Sequence, residues 1–234
     1  YVWGYEVKEV VNWIKSTNKD EYFSVGEYWQ DSPFMTNDPM VKRYGADEGA
    51  RILGWAKESG GCAFDIILKR CIQSADARNL KFGLTPKSSP EERSSLVTFV
   101  DNHDMGASPY SPANGWGQQC WPCPPNFKSR AYAFILSMPG TPCVYWPDCF
   151  DWGHDTEIKE IIRLRKRAGI ISSSEWIDLT DKFYGFAAII LNDKKEEALA
   201  LSINSNFAAP DEVWETGFEK KGEYTVWINR KFMN

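Results

Sequence analysis

No run of about 18 apolar residues occurs in this 234-residue chain, so no membrane-spanning helix is expected. Histidine is nearly absent, with two copies, and no block of basic residues exists. With a net charge of −5, these scarcities argue against nucleic acid and against an anionic membrane as partners. A neutral substrate that needs no electrostatic steering suits the balance better. Cysteine is present six times, but only Cys120 and Cys123 form a C-x-x-C. No second pair stands at zinc-finger spacing, which excludes a structural zinc site of that type. The flanks Gln119 and Pro124 lie in a Gly/Pro-rich stretch rather than at a βαβ start, so a thioredoxin-like redox site is not expected either. The disulfide pattern stays open, with Cys120–Cys123 and Cys143–Cys149 as candidates. Internal repeats and low-complexity segments are also missing. The chain opens Tyr-Val-Trp-Gly without an initiator Met, and we expect that it does not begin at a natural start.

What is abundant is aromatic surface. There are 11 tryptophans, and aromatics make up 15% of the chain. Aromatic faces stack on sugar rings, but they also fill cores, and composition alone favours the core. Hydrophobic residues at 43% and charged residues at 25% are those of an ordinary globular protein with a sizeable core.

Strand and helix patterns alternate through residues 1–169. Val7, Val10, Val11 and Ile14 mark an amphipathic helix. Tyr22 to Val25 reads as a short buried strand, followed by a long loop holding Pro33 and Pro39. A helix over 47–58, a strand from Cys62 to Ile67 and a helix from Lys69 to Ser74 come next. Residues 76–94 read as loop, and Leu96 to Val100 as a strong strand. Asn126 is positioned to cap a helix reaching Ser137, Cys143 to Trp146 reads as one more strand, and residues 155–168 form a helix closed by Gly169. Past Gly169 the period changes to two. Tyr184 to Leu191 and Ala198 to Ile203 flank a turn at residues 192–195, and Glu223 to Asn229 supplies a late strand. The expectation is an α/β fold over 1–169 and a small antiparallel β-domain over 170–234.

Two carboxylates stand just past predicted strand ends: Glu27 and Asp104. In β/α barrels the reactive groups occupy those ends. A pair of carboxylates there suits glycosidic hydrolysis, one protonated for the leaving oxygen and one ionised toward the oxocarbenium-like centre. Taken by position alone, each is equally well an ordinary loop or turn carboxylate.

Two motifs move the balance. Val25-Gly26-Glu27-Tyr28-Trp29 resembles the segment of the α-amylase family (glycoside hydrolase family 13) that carries the proton donor. Phe99-Val100-Asp101-Asn102-His103-Asp104 resembles the segment that carries its transition-state-stabilising aspartate. Phe64-Asp65, Gly140-Thr141-Pro142-Cys143-Val144-Tyr145-Trp146, Asp151-Trp152-Gly153 and Arg163-Leu164-Arg165-Lys166 extend the likeness, as do Ala198 to Asn204 and Thr225-Val226-Trp227 in the tail. The likeness is strongest to the bacterial maltotetraose-forming branch and the plant branch.

The resemblance implies the C-terminal half of a (β/α)8 TIM barrel, strands five to eight, followed by the β-domain. It implies a retaining hydrolase of α-1,4-glucans such as starch and maltooligosaccharides. Glu27 becomes the general acid/base and Asp104 the transition-state stabiliser. His103, Trp29, Gln118, Trp121 and Trp3 become substrate contacts, while Asp101 and Asn102 support the strand end. Gly4-Tyr5 matches the end of the family's nucleophile motif, which places the nucleophilic aspartate just before Tyr1. The chain alone is then expected to be inactive and prone to aggregate. Trp3 stands where relatives carry Lys or Arg, and Met105 where threonine is usual. The resemblance further implies a structural calcium, with the carbonyl of Gly4 one of its ligands and the rest upstream. A secreted monomer acting on glucan is the matching expectation. A transglycosylase of the same family and a non-catalytic glucan-binding relative are the alternatives. The presence of both Glu27 and Asp104 weighs against the second.

Overall fold

A computed structural model describes residues 4–17, 22–29, 39–84, 89–105 and 121–233, with side chains from residue 7 onward. Helix α1 (Gly4–Thr17) lies against helix α3 (Glu48–Ser59) and buries Val11, while Val10 and Trp13 face solvent. The expected apolar stripe is therefore narrower than the sequence suggested. Strand β1 is only Val25–Gly26. Tyr22 and Phe23 are exposed, because the ladder to β2 (Cys62–Phe64) begins with Val25 opposite Cys62.

Pro39, read as loop, starts the short helix α2 (Pro39–Tyr44), a first-turn position where a missing N–H costs nothing. Helix α3 starts where the Asp47 carboxylate accepts from the Ala50 N–H at 2.7 Å, and it stops at left-handed Gly60. Asp65 caps α4 (Ile66–Gln73) in the same way, accepting from Leu68 at 3.0 Å.

Residues 76–94 are not a plain loop. They hold a 3-10 helix (Ala77–Leu84) and helix α5 (Pro90–Ser94), which opens on a Ser89/Glu92 capping box. Strand β3 (Leu96–Phe99) is buried along its whole length. Helix α6 (Pro125–Ser137) has Pro124, not Asn126, at its N-cap. Asn126 is two residues too far in, because Pro125 already holds the first helical position. Strand β4 is Thr141–Cys143, ahead of the expected run, and a π-turn over Pro147–Asp151 takes up the residues that follow. Helix α7 (Asp155–Ala168) ends at Gly169 with φ 69°.

The first sheet is parallel, in the order β1-β2-β3-β4. The second is antiparallel, in the order β5-β6-β7-β9-β8, from β5 (Trp176–Asp178), β6 (Phe186–Leu191), β7 (Glu197–Ile203), β8 (Trp214–Lys220) and β9 (Tyr224–Asn229). Strands β5 and β8 are additions to the sequence reading. The Asn192 amide oxygen builds the β6–β7 turn by accepting from the N–H groups of Lys194 and Glu196.

Helices α6 and α7 lie between the two sheets. Phe134 of α6 meets Phe186 of β6 edge to face at 4.9 Å, and Ile161 and Leu164 of α7 join the same apolar cluster as Leu199, Leu201 and Val226. Two polar pins fix this packing. Buried Arg165 donates to the carbonyls of Leu136, Met138 and Gly140, taking up acceptors freed at the end of α6. Buried Glu157 accepts from Ser129 of α6, Tyr224 of β9 and the His154 ring, with the Lys220 ammonium 3.6 Å away.

Candidate active site

All strands of the first sheet run the same way, so their C-terminal ends share one rim. Glu27 follows β1 directly, and Asp101-Asn102-His103-Asp104 follow β3, two strands across. The rim brings the carboxylates together. One donor or acceptor atom each of Glu27, His103 and Asp104 lies within 4.8 Å of the others, and all three side chains are exposed. Asn102 ties the group. Its Nδ2 donates to Glu27 Oε1 at 3.0 Å, and its Oδ1 accepts from the Asp104 N–H at 3.1 Å. Trp29 Nε1 donates to the other Glu27 oxygen at 3.2 Å. His103 Nε2 stands 3.5 Å from Asp104 Oδ1. Both Glu27 oxygens thus carry a donor, which fixes the rotation of the carboxyl group. Sequence reasoning gave Asn102 only a supporting part at the strand end; its bridge from the Glu27 carboxylate to the Asp104 backbone N–H went unseen.

Trp29 is half-buried, and its ring centroid lies 6.4 Å from that of Trp121. Trp121 takes a left-handed φ of 76°, a conformation that costs a bulky residue about 1–3 kcal/mol. That backbone turn sets the second indole beside the first, and together they edge the cluster on the Glu27 side. Gln118 and Trp3 lie outside the described residues.

Gly4 is the first residue of α1. Among the described residues, the group of three acidic, His or Cys side chains close enough to share a cation is Glu27, His103 and Asp104, the site's own cluster. Calcium prefers six to eight oxygens, so the Gly4 carbonyl alone does not make a calcium site.

Behind the rim sits a set of buried charges that the sequence did not announce. Lys69 of α4 and Asp101 pair at 2.7 Å with both side chains fully buried, and Lys128 of α6 lies 2.9 Å from the other Asp101 oxygen. Lys128 also pairs with Asp148, which accepts from Tyr132 at 2.7 Å. Burial raises the Asp148 carboxyl above its ordinary range against the pull of Lys128. Cys123 donates its N–H to Asp101, and burial together with the Asp101 charge pushes its thiol up to about 12. Cys143 and Cys149 are free thiols, so the disulfide considered between them does not form. The alternative pairing through Cys120 lies outside the described residues.

Comparison with known proteins gives a consistent set of relatives. The family model for domain C of glucan 1,4-alpha-maltotetraohydrolase matches residues 150–216. The chain is 33% identical over 233 residues to a glucan 1,4-alpha-maltotetraohydrolase of Roseateles saccharophilus, covering 97% of this chain and 40% of that protein. It is 32% identical to the protein of the same name from Stutzerimonas stutzeri, covering 97% and 41%. Chloroplastic alpha-amylase 3 of Arabidopsis thaliana is 31% identical, covering 96% of this chain and 24% of that protein. The chain therefore spans about two fifths of the length of the first of these relatives. Among solved structures, a gamma-CGTase from alkalophilic Bacillus clarkii superposes with a TM-score of 0.52 at 12% identity, over 97% of this chain and 38% of that one. At that identity the likeness concerns the fold alone.

Proposed function

Because this chain is an α-amylase-family sequence across 97% of its length, we propose that it supplies the acid/base and transition-state-stabilising carboxylates of a retaining α-1,4-glucan hydrolase. The observation that carries the reading is the convergence of Glu27, His103 and Asp104 within 4.8 Å on one sheet rim.

In this reading Glu27 is protonated when the glycosidic oxygen arrives, and it gives up its proton as the bond breaks. It then takes a proton from the water that releases the sugar. Asn102 and Trp29 hold its two oxygens through both steps. Asp104 stays ionised and faces the positive charge that develops at the anomeric carbon. The His103 ring, exposed beside Asp104, donates to a sugar hydroxyl. Trp29 and Trp121 offer indole faces for a neighbouring sugar. In this reading a third carboxylate serves as the covalent nucleophile.

The sheet order supports the barrel part of the reading. A doubly wound sheet reverses direction at a switch point, whereas here consecutive strands are neighbours from β1 to β4, the winding of a (β/α)8 barrel. Residues 1–169 would then be its C-terminal half and 170–234 the β-domain. Secretion as a monomer belongs to the same proposal, from the polymeric nature of the substrate.

The test is hydrolysis of maltoheptaose by the intact protein, with products resolved by chromatography. Glu27→Gln and Asp104→Asn should each lower kcat by about 10²–10⁴-fold. Retention of wild-type turnover in either variant would overturn the assignment. Longer chains built up from maltoheptaose, in place of shorter ones, would point to a transglycosylase.

A further inference from the structure

Resting on the hydrolase reading, we propose that Lys69 and Lys128 are positioning residues for this site, acting through Asp101. Neither lysine bonds Glu27, His103 or Asp104; both meet Asp101. Lys69 is fully buried, and Lys128 is nearly so.

The β3–β4 ladder ends with Phe99 opposite Cys143. Beyond that point sheet hydrogen bonding no longer fixes the chain, yet the next five residues carry Asn102, His103 and Asp104. Lys69 takes over the fixing. Its ammonium donates to the carbonyl of Val100 at 2.7 Å, to Asp101 Oδ1 at 2.7 Å and to Gln73 Oε1 at 2.9 Å, which accounts for all three of its hydrogens. The same Asp101 Oδ1 also accepts the Cys123 N–H, while Lys128 stands 2.9 Å from Oδ2 as an ion pair without hydrogen-bond geometry. Lys128 is itself held by Asp148, which Tyr132 bonds in turn. Helix α4, the end of β3, the segment at Cys123, helix α6 and the turn after β4 thus all meet on one chain of alternating charges.

Two lysines face two aspartates, so the set is neutral. A buried ionic set of this kind is seldom worth more to stability than apolar side chains of the same volume. What it provides is direction, since each bond constrains a distance and an angle. The constraint reaches the reactive groups in one step. Asp101 is joined covalently to Asn102, and the Asn102 amide holds Glu27 on one side and the Asp104 backbone on the other. A displacement of Asp101 therefore moves the two carboxylates relative to each other. A misplacement of about 1 Å at reacting groups can cost about 10²-fold in rate.

The experiment compares kcat and KM on maltoheptaose for the intact wild-type protein, Lys69→Met and the charge-balanced double variant Lys69→Met/Asp101→Asn, with thermal melts alongside. Lys69→Met should lower kcat by about 10- to 100-fold with KM nearly unchanged. The double variant should melt higher than the single one, because no unpaired charge is left buried, yet keep the low kcat. Wild-type kcat in Lys69→Met would overturn the proposal, and so would recovery of kcat in the double variant, which would trace the loss to a stray charge and not to position. Should Lys69→Met fail to fold, Gln73→Leu removes one acceptor of Lys69 and the brace from Gln73 to the Pro122 carbonyl. It should lower kcat several-fold at constant KM, and an unchanged kcat would overturn the proposal. A wild-type protein that releases no sugar from any α-glucan would fail the hydrolase reading instead, a different outcome from an active wild type with indifferent variants.

Discussion

Replacing Glu157 with glutamine should weaken the fold at neutral pH and leave it little changed near pH 2. Burial alone would raise this carboxyl. Hydrogen bonds from His154, Ser129 and Tyr224, with the Lys220 charge nearby, more than reverse that and hold it at about 2 against an ordinary 4.5. The gap corresponds to about 3 kcal/mol favouring the ionised form in the folded state. The sign follows from which state binds the proton. Below about 4.5 the unfolded chain takes up a proton that the folded chain refuses, so stability falls as pH drops, until the folded carboxyl titrates near 2. Above about 4.5 the whole contribution is present. Urea unfolding followed by tryptophan fluorescence should therefore show wild type and Glu157→Gln about 3 kcal/mol apart at pH 7, closing steadily between pH 4.5 and 2. An equal gap at pH 7 and pH 2, or a gap under about 0.5 kcal/mol at pH 7, would refute the account of Glu157 as an ionised pin between α6, α7 and β9.

Arg165→Met should cost about 2–4 kcal/mol in the same urea assay, because it leaves the carbonyls of Leu136, Met138 and Gly140 buried without their donor. Gly185→Ala should lower stability by more than about 2 kcal/mol, since φ is +81° and an added methyl would lie 2.2 Å from the Asn204 carbonyl oxygen. Gly222→Ala is the control. Its φ is +78°, but nothing lies within 4 Å, so it should cost about 1–2 kcal/mol of backbone strain and no more. Thermal melts of the two alanine variants should rank in that order.

Elements with a clear apolar period were legible in the sequence, and those without one were not. Helices α1, α3 and α7 and strands β3, β6 and β7 follow from their patterns. Strand β8 escaped because Trp-Glu-Thr-Gly-Phe-Glu-Lys is an edge strand, mostly polar, with Gly217 at its centre. Helix α5 was missed although Ser89 and Glu92 stand at capping-box spacing, since Pro90 and the serines around it read as loop. The strands of the parallel sheet came out shorter than their apolar runs, because pairing stops where the chain turns toward the rim. At the site, the resemblance of two short motifs singled out Glu27 and Asp104. The bridge through Asn102 could not be read, because it joins residues on non-adjacent strands. Lys69 and Lys128 could not be read for another reason. A lysine on a helix ordinarily faces water, and only the fold shows that these two point inward.

The apolar packing that runs unbroken from α6 and α7 into β6, β7 and β9 means that the antiparallel sheet is not a cassette. Severing the chain after Gly169 would strip the lid from two helices as well as orphaning five strands. A gene shuffler seeking to graft this sheet onto another catalytic scaffold would have to carry its helical cradle along.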